Sequence, residues 1–282
     1  MLFKQPDATR NSIEAEVTRK LAGDERDEAE EILSDSINLA TRLLLMMPTD
    51  GSVSSRRYVT VSGETKLSLR DGTVKDTLNE EMKAQIFLEE RVKLEKIFNA
   101  RNLQRIGGIK IRWTTNFADH LRMREDDTAV EVFHYASFLQ FHQNSNSSII
   151  PAALVEETLR TLALLFPEHD KAVKVWFERQ QKQLQTARRM PLDALARECG
   201  QLKAEERQID RFVYWHDRLV ILKQVFDEAE PRNIAQWWND RRKRVQWYTF
   251  WVAAVVLALT VFFGLVQSIE GALQVYLAYS HP

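Results

Sequence analysis

The longest apolar run of the chain lies near its C-terminus. From Val245 to Ser268 no residue is charged, and Trp247 to Val266 is almost entirely apolar. About twenty helical residues at about 1.5 Å each reach about 30 Å, the thickness of a bilayer's hydrocarbon core. The pattern therefore predicts one transmembrane helix over residues 246–268, with the buried core helix of a soluble protein as the alternative.

Residues before this run are typical of a membrane interface, where Trp and Tyr concentrate and where Lys and Arg stay on the cytoplasmic side. The predicted interface residues are Trp237, Trp238, Arg241, Arg242, Lys243, Arg244, Trp247, Tyr248 and Trp251. We interpret residues 231–245 as an amphipathic juxtamembrane segment that follows a cytosolic domain. The short end beyond the helix has no Lys or Arg, which favours secretory-pathway or plasma membranes over mitochondrial ones.

Two further patterns follow the helical period in this region. Gln267, Glu270 and Gln274 share one face, so residues 269–282 are expected to form a short amphipathic tail. The helix either continues into this tail or bends near Gly264 or Gly271. Small residues recur at four-residue spacing, which lets two membrane helices approach closely. The candidate helix-packing or pore residues are Ala254, Ala258, Gly264, Gln267, Ser268, Glu270 and Gln274.

Hydrophobic periodicity in front of the membrane segment alternates between that of helices and that of strands. We expect a flexible N-terminus (1–25), a mixed α/β part (26–142) and a helical part (150–230). Helical spacing predicts helices over Asp27–Met47, Val74–Leu103, Asn116–Met123, Pro151–Phe166, Asp170–Leu184 and Glu205–Ala229. Alternation predicts a hairpin of Tyr58–Ser62 with Thr65–Leu69, and strands over Ile109–Trp113 and Thr128–His134. The predicted fold class is α+β, a mostly helical cytosolic domain with a small sheet.

Composition supports a folded domain and removes several classes of function. The chain is 44% hydrophobic and 28% charged, as globular domains are. Before Val245 it has 39 basic and 39 acidic residues, which leaves no net positive charge for binding nucleic acid. Cys199 is the only cysteine, so neither an intramolecular disulfide nor a multi-cysteine metal site can form.

Candidate catalytic or metal-binding residues are few. The chain has no glycine-rich nucleotide loop, no H-E-x-x-H and no G-x-S-x-G. Histidine and carboxylate side chains could come together around the small sheet as metal ligands or as an acid–base pair. These residues are Asp119, His120, Asp126, Asp127, His134 and His142. We interpret its histidines as structural and Asp126 with Asp127 as a turn, so no cofactor or metal is expected. Cys199 and His216 could in principle act as a nucleophile and its base, but nothing in the sequence orients them toward each other.

Four stretches carry a resemblance to known proteins: IKIRWTTNFADHL at 109–121, VFHYASFL at 132–139, EETLRTLALLFP at 156–167 and VQWYTFWVAAVVLALTVFFGLVQ at 245–267. Over about Leu94 to Tyr276 the chain resembles a large group of filamentous-fungal proteins that have a C-terminal membrane helix and no assigned function. The resemblance implies a fungal source and membrane residence. It implies no site residues, because the group has none assigned.

Three functions from different classes fit these patterns. The leading hypothesis is a tail-anchored protein whose cytosolic domain is an interaction or adaptor module for an unknown cytosolic protein. In this hypothesis the lipid bilayer holds the C-terminal helix, through which copies self-associate. The alternatives are a homo-oligomeric ion channel or pore formed by that helix, and a membrane-bound enzyme that uses the His120 and His134 region.

Overall fold

The computed structural model describes Ser12, Ser36 and residues 39–49, 63–67, 73–83, 93–145, 148–229 and 244–280. The chain forms two compact units, Met1–Glu230 and Pro231–Pro282. The first is mostly helical and contains a three-stranded sheet, and the second contains a long apolar helix. The predicted α+β class is therefore confirmed. Apart from Ser12, the predicted N-terminal segment 1–25 lies outside the described residues.

Along the chain of the first unit, helices come both before and after the strands of the sheet. The first described helical stretch covers residues 39–45. The longer helices are α1 (Val74–Met82), α2 (Ala100–Arg105), α3 (Ala136–Gln143), α4 (Ala152–Leu165), α5 (Lys171–Thr186) and α6 (His216–Glu228). Short 3-10 helices cover Phe117–Asp119, Ala194–Arg197 and Ile209–Arg211.

Local signals explain where two of these helices begin. Helix α4 starts directly after Pro151, whose fixed φ suits the first turn of a helix. Helix α5 starts after Asp170, whose Oδ1 accepts the N–H groups of Ala172 and Val173 at 2.8 and 3.1 Å. Both helices are confirmed close to their predicted ends.

The sheet consists of β1 (Lys110–Thr114), β2 (Met123–Arg124) and β3 (Ala129–Phe133) in the order β1-β3-β2. Strand β3 pairs in parallel with β1 and antiparallel with β2. Four of its five residues are buried, as is typical of a central strand covered on both faces. The two strands predicted from alternation are confirmed as β1 and β3.

The corner between α2 and β1 requires two glycines. Gly108 has a φ of 68°, which favours a residue without a side chain. A Cβ at Gly107 would lie 2.8 Å from a ring carbon of Phe226 and 2.9 Å from the carbonyl oxygen of Leu103. The chain can therefore turn closely against α6 at this point.

Three predicted helices have the wrong ends. The helix predicted over Val74–Leu103 is interrupted: α1 ends at Met82, and residues 93–99 are not helical before Asn99 caps α2. The helix predicted over Asn116–Met123 is only a 3-10 turn, because Met123 pairs with β3 instead. The helix predicted to end at Met47 ends at residue 45, where the following residue takes a positive φ.

The helix predicted over Glu205–Ala229 begins only at His216. The reason is a long-range contact: the carboxylate of Glu157 on α4 accepts the N–H groups of Val213, Tyr214 and Trp215, each at 2.8 Å. These bonds hold residues 213–215, which form bends, against α4. Residues 187–215 contain no α-helix, so the second half is less helical than predicted.

Two further differences concern short elements. Helix α3 has only eight residues, which are too few for a clear helical period, and periodicity does not predict it. In the predicted hairpin, Leu67 forms an isolated parallel bridge with Thr49. The other predicted strand, Tyr58–Ser62, lies outside the described residues.

Candidate functional site

The most prominent candidate is the C-terminal helix, α7 (Arg244–Ser280), which has 37 residues and a length of about 55 Å. Its segment Tyr248–Leu277 has a mean hydropathy of 2.4 and is long and apolar enough to cross a membrane. None of the most apolar part of this segment is buried, whereas a core helix would be mostly buried. The predicted apolar helix is therefore confirmed, and it could span a bilayer once.

Helix α7 continues without interruption through Gly264 and Gly271. Of the two predicted alternatives, the structure has the one in which the helix continues through the tail region, to Ser280. Two hydroxyl groups bond back to the helix: Thr260 to the carbonyl of Val256 at 2.8 Å, and Ser268 to that of Gly264 at 2.9 Å. Such bonds allow hydroxyl side chains in an apolar environment.

The predicted membrane-interface residues are described only in part. Trp237, Trp238, Arg241, Arg242 and Lys243 lie outside the described residues, and Arg244 and Trp247 are described only as helical backbone. Tyr248 is exposed and Trp251 is half-buried at the start of the apolar segment.

The candidate packing and pore residues all lie on this one helix. Ala254 is half-buried, and the other six residues are exposed. Gln267, Glu270 and Gln274 follow helical spacing and therefore form one polar exposed face.

Within the first unit, the predicted polar cluster is distributed over separate structural roles. Asp119 is fully buried and holds residues 63–67 against the sheet. Its Oδ1 accepts hydrogen bonds from the backbone N–H and hydroxyl of Thr65 at 3.0 and 2.5 Å and from Arg122 at 3.1 Å. Its Oδ2 accepts one from Asn116 at 2.7 Å. Every oxygen of this carboxylate is thus used inside the fold.

His120 is fully buried, and its hydrogen bonds define its protonation. The N–H of Phe133 donates to Nδ1 at 3.2 Å, so the ring proton lies on Nε2, which donates to the hydroxyl of Thr161 at 2.7 Å. Burial, with a smaller contribution from the nearby Arg218 guanidinium, lowers the pKa of His120 to about 3. The ring is therefore a neutral structural group.

His134 and His142 have hydrogen-bond partners of their own. The N–H of Asp193 donates to Nδ1 of His134 at 3.2 Å, and burial lowers the pKa of His134 to about 4. Nδ1 of His142 pairs with the hydroxyl of Ser148 at 3.0 Å, and burial lowers the pKa of His142. These contacts agree with the interpretation of the histidines as structural.

Asp126 and Asp127 form a turn before β3, with φ values of 49° and 62°. Both are exposed, and their short polar side chains tolerate this left-handed conformation. Among the residues that the structure describes, no group of three or more His, Cys, Asp or Glu side chains could hold a metal ion.

Cys199 and His216 contact different groups. The thiol of Cys199 donates to the carbonyl of Leu195 at 3.4 Å, and burial, with smaller contributions from nearby carboxylates, raises its pKa to about 12. Nδ1 of His216 lies 2.9 Å from a carboxylate oxygen of Asp217. A thiol with this pKa stays protonated at neutral pH and is a poor nucleophile.

The structure also brings together residues that no pattern in the sequence connects. A cavity of about 110 Å³ lies between the turns at residues 95–98, the end of α4 and residues 201–207. Its lining includes Arg207, a residue that is 7% exposed. These segments are far apart in the chain, so no motif or spacing could have indicated the site.

Comparison with known proteins adds no relative to these observations: no family model matches the chain, and no curated protein and no solved structure matches it. The resemblance to fungal proteins with a C-terminal membrane helix stays a prediction. Function is therefore argued from the residues and their contacts.

Proposed function

We propose that the chain is a single-pass membrane protein, anchored by α7, whose N-terminal unit is a cytosolic interaction module for a protein partner. The observation that carries the proposal is the unburied apolar segment Tyr248–Leu277 within an unbroken helix. A helix of this hydropathy exposed to water is unfavourable, and a bilayer would cover it on all sides.

The residues before the helix orient it. Arg241 to Arg244 are four consecutive cations, and such residues remain on the cytoplasmic side of a membrane. With Trp247 at that interface, about twenty residues cross the hydrocarbon core and end near Val266. Gln267, Glu270 and Gln274 then emerge among the far headgroups, and the helix extends about 20 Å beyond the core.

The contacts inside the first unit favour binding over catalysis. Three side chains were candidates for acid–base chemistry or metal binding: Asp119, His120 and His134. All three are buried and form hydrogen bonds inside the fold. A general acid or base must reach a substrate within hydrogen-bonding distance. These three side chains therefore support a role in holding the domain together.

Alkaline carbonate extraction of membranes tests the anchor. We expect the full chain to stay in the membrane pellet and Leu257→Arg to move into the soluble fraction, because an arginine at the centre of a span costs about 2.5–3.5 kcal/mol. Leu257→Ile is the matched control and should remain in the pellet. Release of the unchanged protein by carbonate would end the proposal.

Protease digestion of sealed vesicles tests the orientation. A tag attached after Pro282 should be protected, and the N-terminal unit should be digested from outside. The reverse pattern would contradict the cytosolic assignment of the domain.

A homo-oligomeric pore is the second candidate, because the exposed side chains of Gln267, Glu270 and Gln274 share one face of α7. Polar side chains next to a membrane need a wet or paired environment, which several copies could supply. The mass of the full chain in mild detergent distinguishes the candidates. A monomer, or unchanged bilayer conductance after Glu270→Gln, would exclude the pore.

A further inference from the structure

The cavity beside Arg207 contains a buried cation with few partners. A guanidinium has five N–H donors. In the described part of the chain Arg207 uses one guanidinium nitrogen, which donates to the carbonyl of Leu94 at 3.1 Å. Among the described residues its Nε is buried without a hydrogen-bond partner. Arg207 is 7% exposed, and no carboxylate of the described residues forms an ion pair with it.

The backbone fixes the position of this arginine. The N–H of Leu94 donates to the carbonyl of Arg207 at 2.8 Å, and Lys93 forms an antiparallel bridge with Gln208. Together with the side-chain bond to Leu94, these contacts hold the guanidinium at the cavity wall. A ligand would therefore meet a cation that is already in place, which reduces the entropy lost on binding.

The rest of the lining is mixed. Its apolar part is formed by Phe98, Ala163, Leu164, Pro167 and Leu202, and its polar part by Glu95, Lys96, Asp170 and Gln201. The first three are buried, and Leu202 is half-buried at the edge of the core. These side chains would contact an apolar group attached to whatever anion pairs with the arginine.

The other charged groups of the lining do not neutralise Arg207. Asp170 uses its Oδ1 to cap α5, and no ion pair joins it to Arg207 in the described part of the chain. Glu95 and Lys96 are exposed and of opposite sign. The buried part of the cavity therefore presents one cation among apolar side chains.

We infer that this cavity binds the carboxylate of a short organic acid with a branched apolar tail, paired to Arg207. On the same measure of volume a water molecule needs about 10–15 Å³, so 110 Å³ accommodates a small organic molecule. A carboxylate forms a charge-assisted hydrogen bond with a guanidinium, and this bond is stronger than one between neutral groups. The inference concerns the first unit alone and does not depend on membrane anchoring.

Thermal melting of the full chain in mild detergent tests the site. The probes are 3-methylbutanoate, which represents a free short-chain acid, and N-acetylleucine, which represents the C-terminal residue of a polypeptide. We expect at least one of them to raise the melting temperature saturably below about 10 mM, since a ligand that binds only the folded state stabilises it. The amide 3-methylbutanamide, and sodium chloride at matched ionic strength, should have no such effect. The probe that binds more tightly identifies the source of the carboxylate.

Two variants separate binding from folding. Arg207→Met removes the buried charge and should leave the melting temperature of the free protein unchanged or higher, while the apparent Kd for the carboxylate rises at least about tenfold. Leu202→Phe keeps the arginine, reduces the cavity volume and should weaken binding in the same way. It also keeps the test valid if Arg207→Met does not fold.

The inference is overturned if neither carboxylate shifts the melting temperature, or if the amide acts as strongly as the acid. It is also overturned if both variants bind the acid as tightly as the unchanged chain. In each case Arg207 would serve only to hold Leu94.

Discussion

Acidification from pH 7 to pH 5 should destabilise the first unit through its buried neutral histidines. In the unfolded chain a histidine has a pKa of about 6.5, whereas in the fold the pKa of His120 is about 3 and that of His134 about 4. The folded state therefore binds fewer protons than the unfolded state throughout this interval. Stability is present above pH 6.5 and is lost as the pH falls toward the folded pKa values.

The structure gives the size of this effect. Between pH 7 and pH 5 each ring reduces the free energy of unfolding by about 2 kcal/mol, because protons bind the unfolded imidazole and not the folded one. The two rings together remove about 4 kcal/mol from a stability that is typically about 5–15 kcal/mol for a domain. The lowered pKa of His142 acts in the same direction, and the raised pKa of Glu157 opposes it.

Urea unfolding of the full chain in mild detergent, followed by tryptophan fluorescence, measures this dependence. Trp215 reports on the site directly, since its ring lies 5.0 Å from that of His120. His120→Gln should reduce the loss between pH 7 and pH 5 by about 2 kcal/mol. His169→Gln is the matched control, because His169 is exposed. An equal loss in His120→Gln and the unchanged chain would refute the reasoning.

Two other perturbations test contacts within the first unit. Glu157→Ala should lower the free energy of unfolding by about 2–4 kcal/mol, because three N–H groups before α6 lose their acceptor; Glu156→Ala, at the exposed neighbouring position, should change it by less than about 0.5 kcal/mol. Equal urea midpoints for the two variants would contradict the role of Glu157. Cys199 should react slowly with a maleimide at pH 7.5 in the folded protein and rapidly in urea, because burial raises its pKa to about 12. Mass spectrometry measures the extent of modification. Rapid modification of Cys199 without urea would contradict the burial of its thiol.

Some elements could be predicted from local sequence because the forces that form them act over a few residues. The apolar helix α7 can be predicted from an uncharged run of the right length. The start of α5 can be predicted from Asp170, because this side chain accepts hydrogen bonds from backbone N–H groups at most three residues after it. Strands β1 and β3 follow from alternation and a run of apolar residues. The pairing of these strands depends on contacts between separate segments. The short strand β2, which replaces part of a predicted helix, also forms only through its pairing with β3.

Other features depend on residues that are distant in the chain. The start of α6 is set by Glu157, whose carboxylate binds backbone N–H groups 56 to 58 residues further along the chain. Helical periodicity does not detect this distant contact, and it therefore predicts a start that is too early. The tautomer of His120 depends on its hydrogen bond with Thr161, 41 residues away.

Side-chain periodicity, helix caps and hydrophobic length are local properties, so the α+β class and the apolar C-terminal helix follow from the sequence alone. Contacts between distant segments settle which polar groups form internal hydrogen bonds, and they place Arg207, whose Nε has no hydrogen-bond partner among the described residues, beside a cavity. Burial and hydrogen bonding of that kind arise when separate segments meet. They therefore cannot be read from the spacing of residues along the chain.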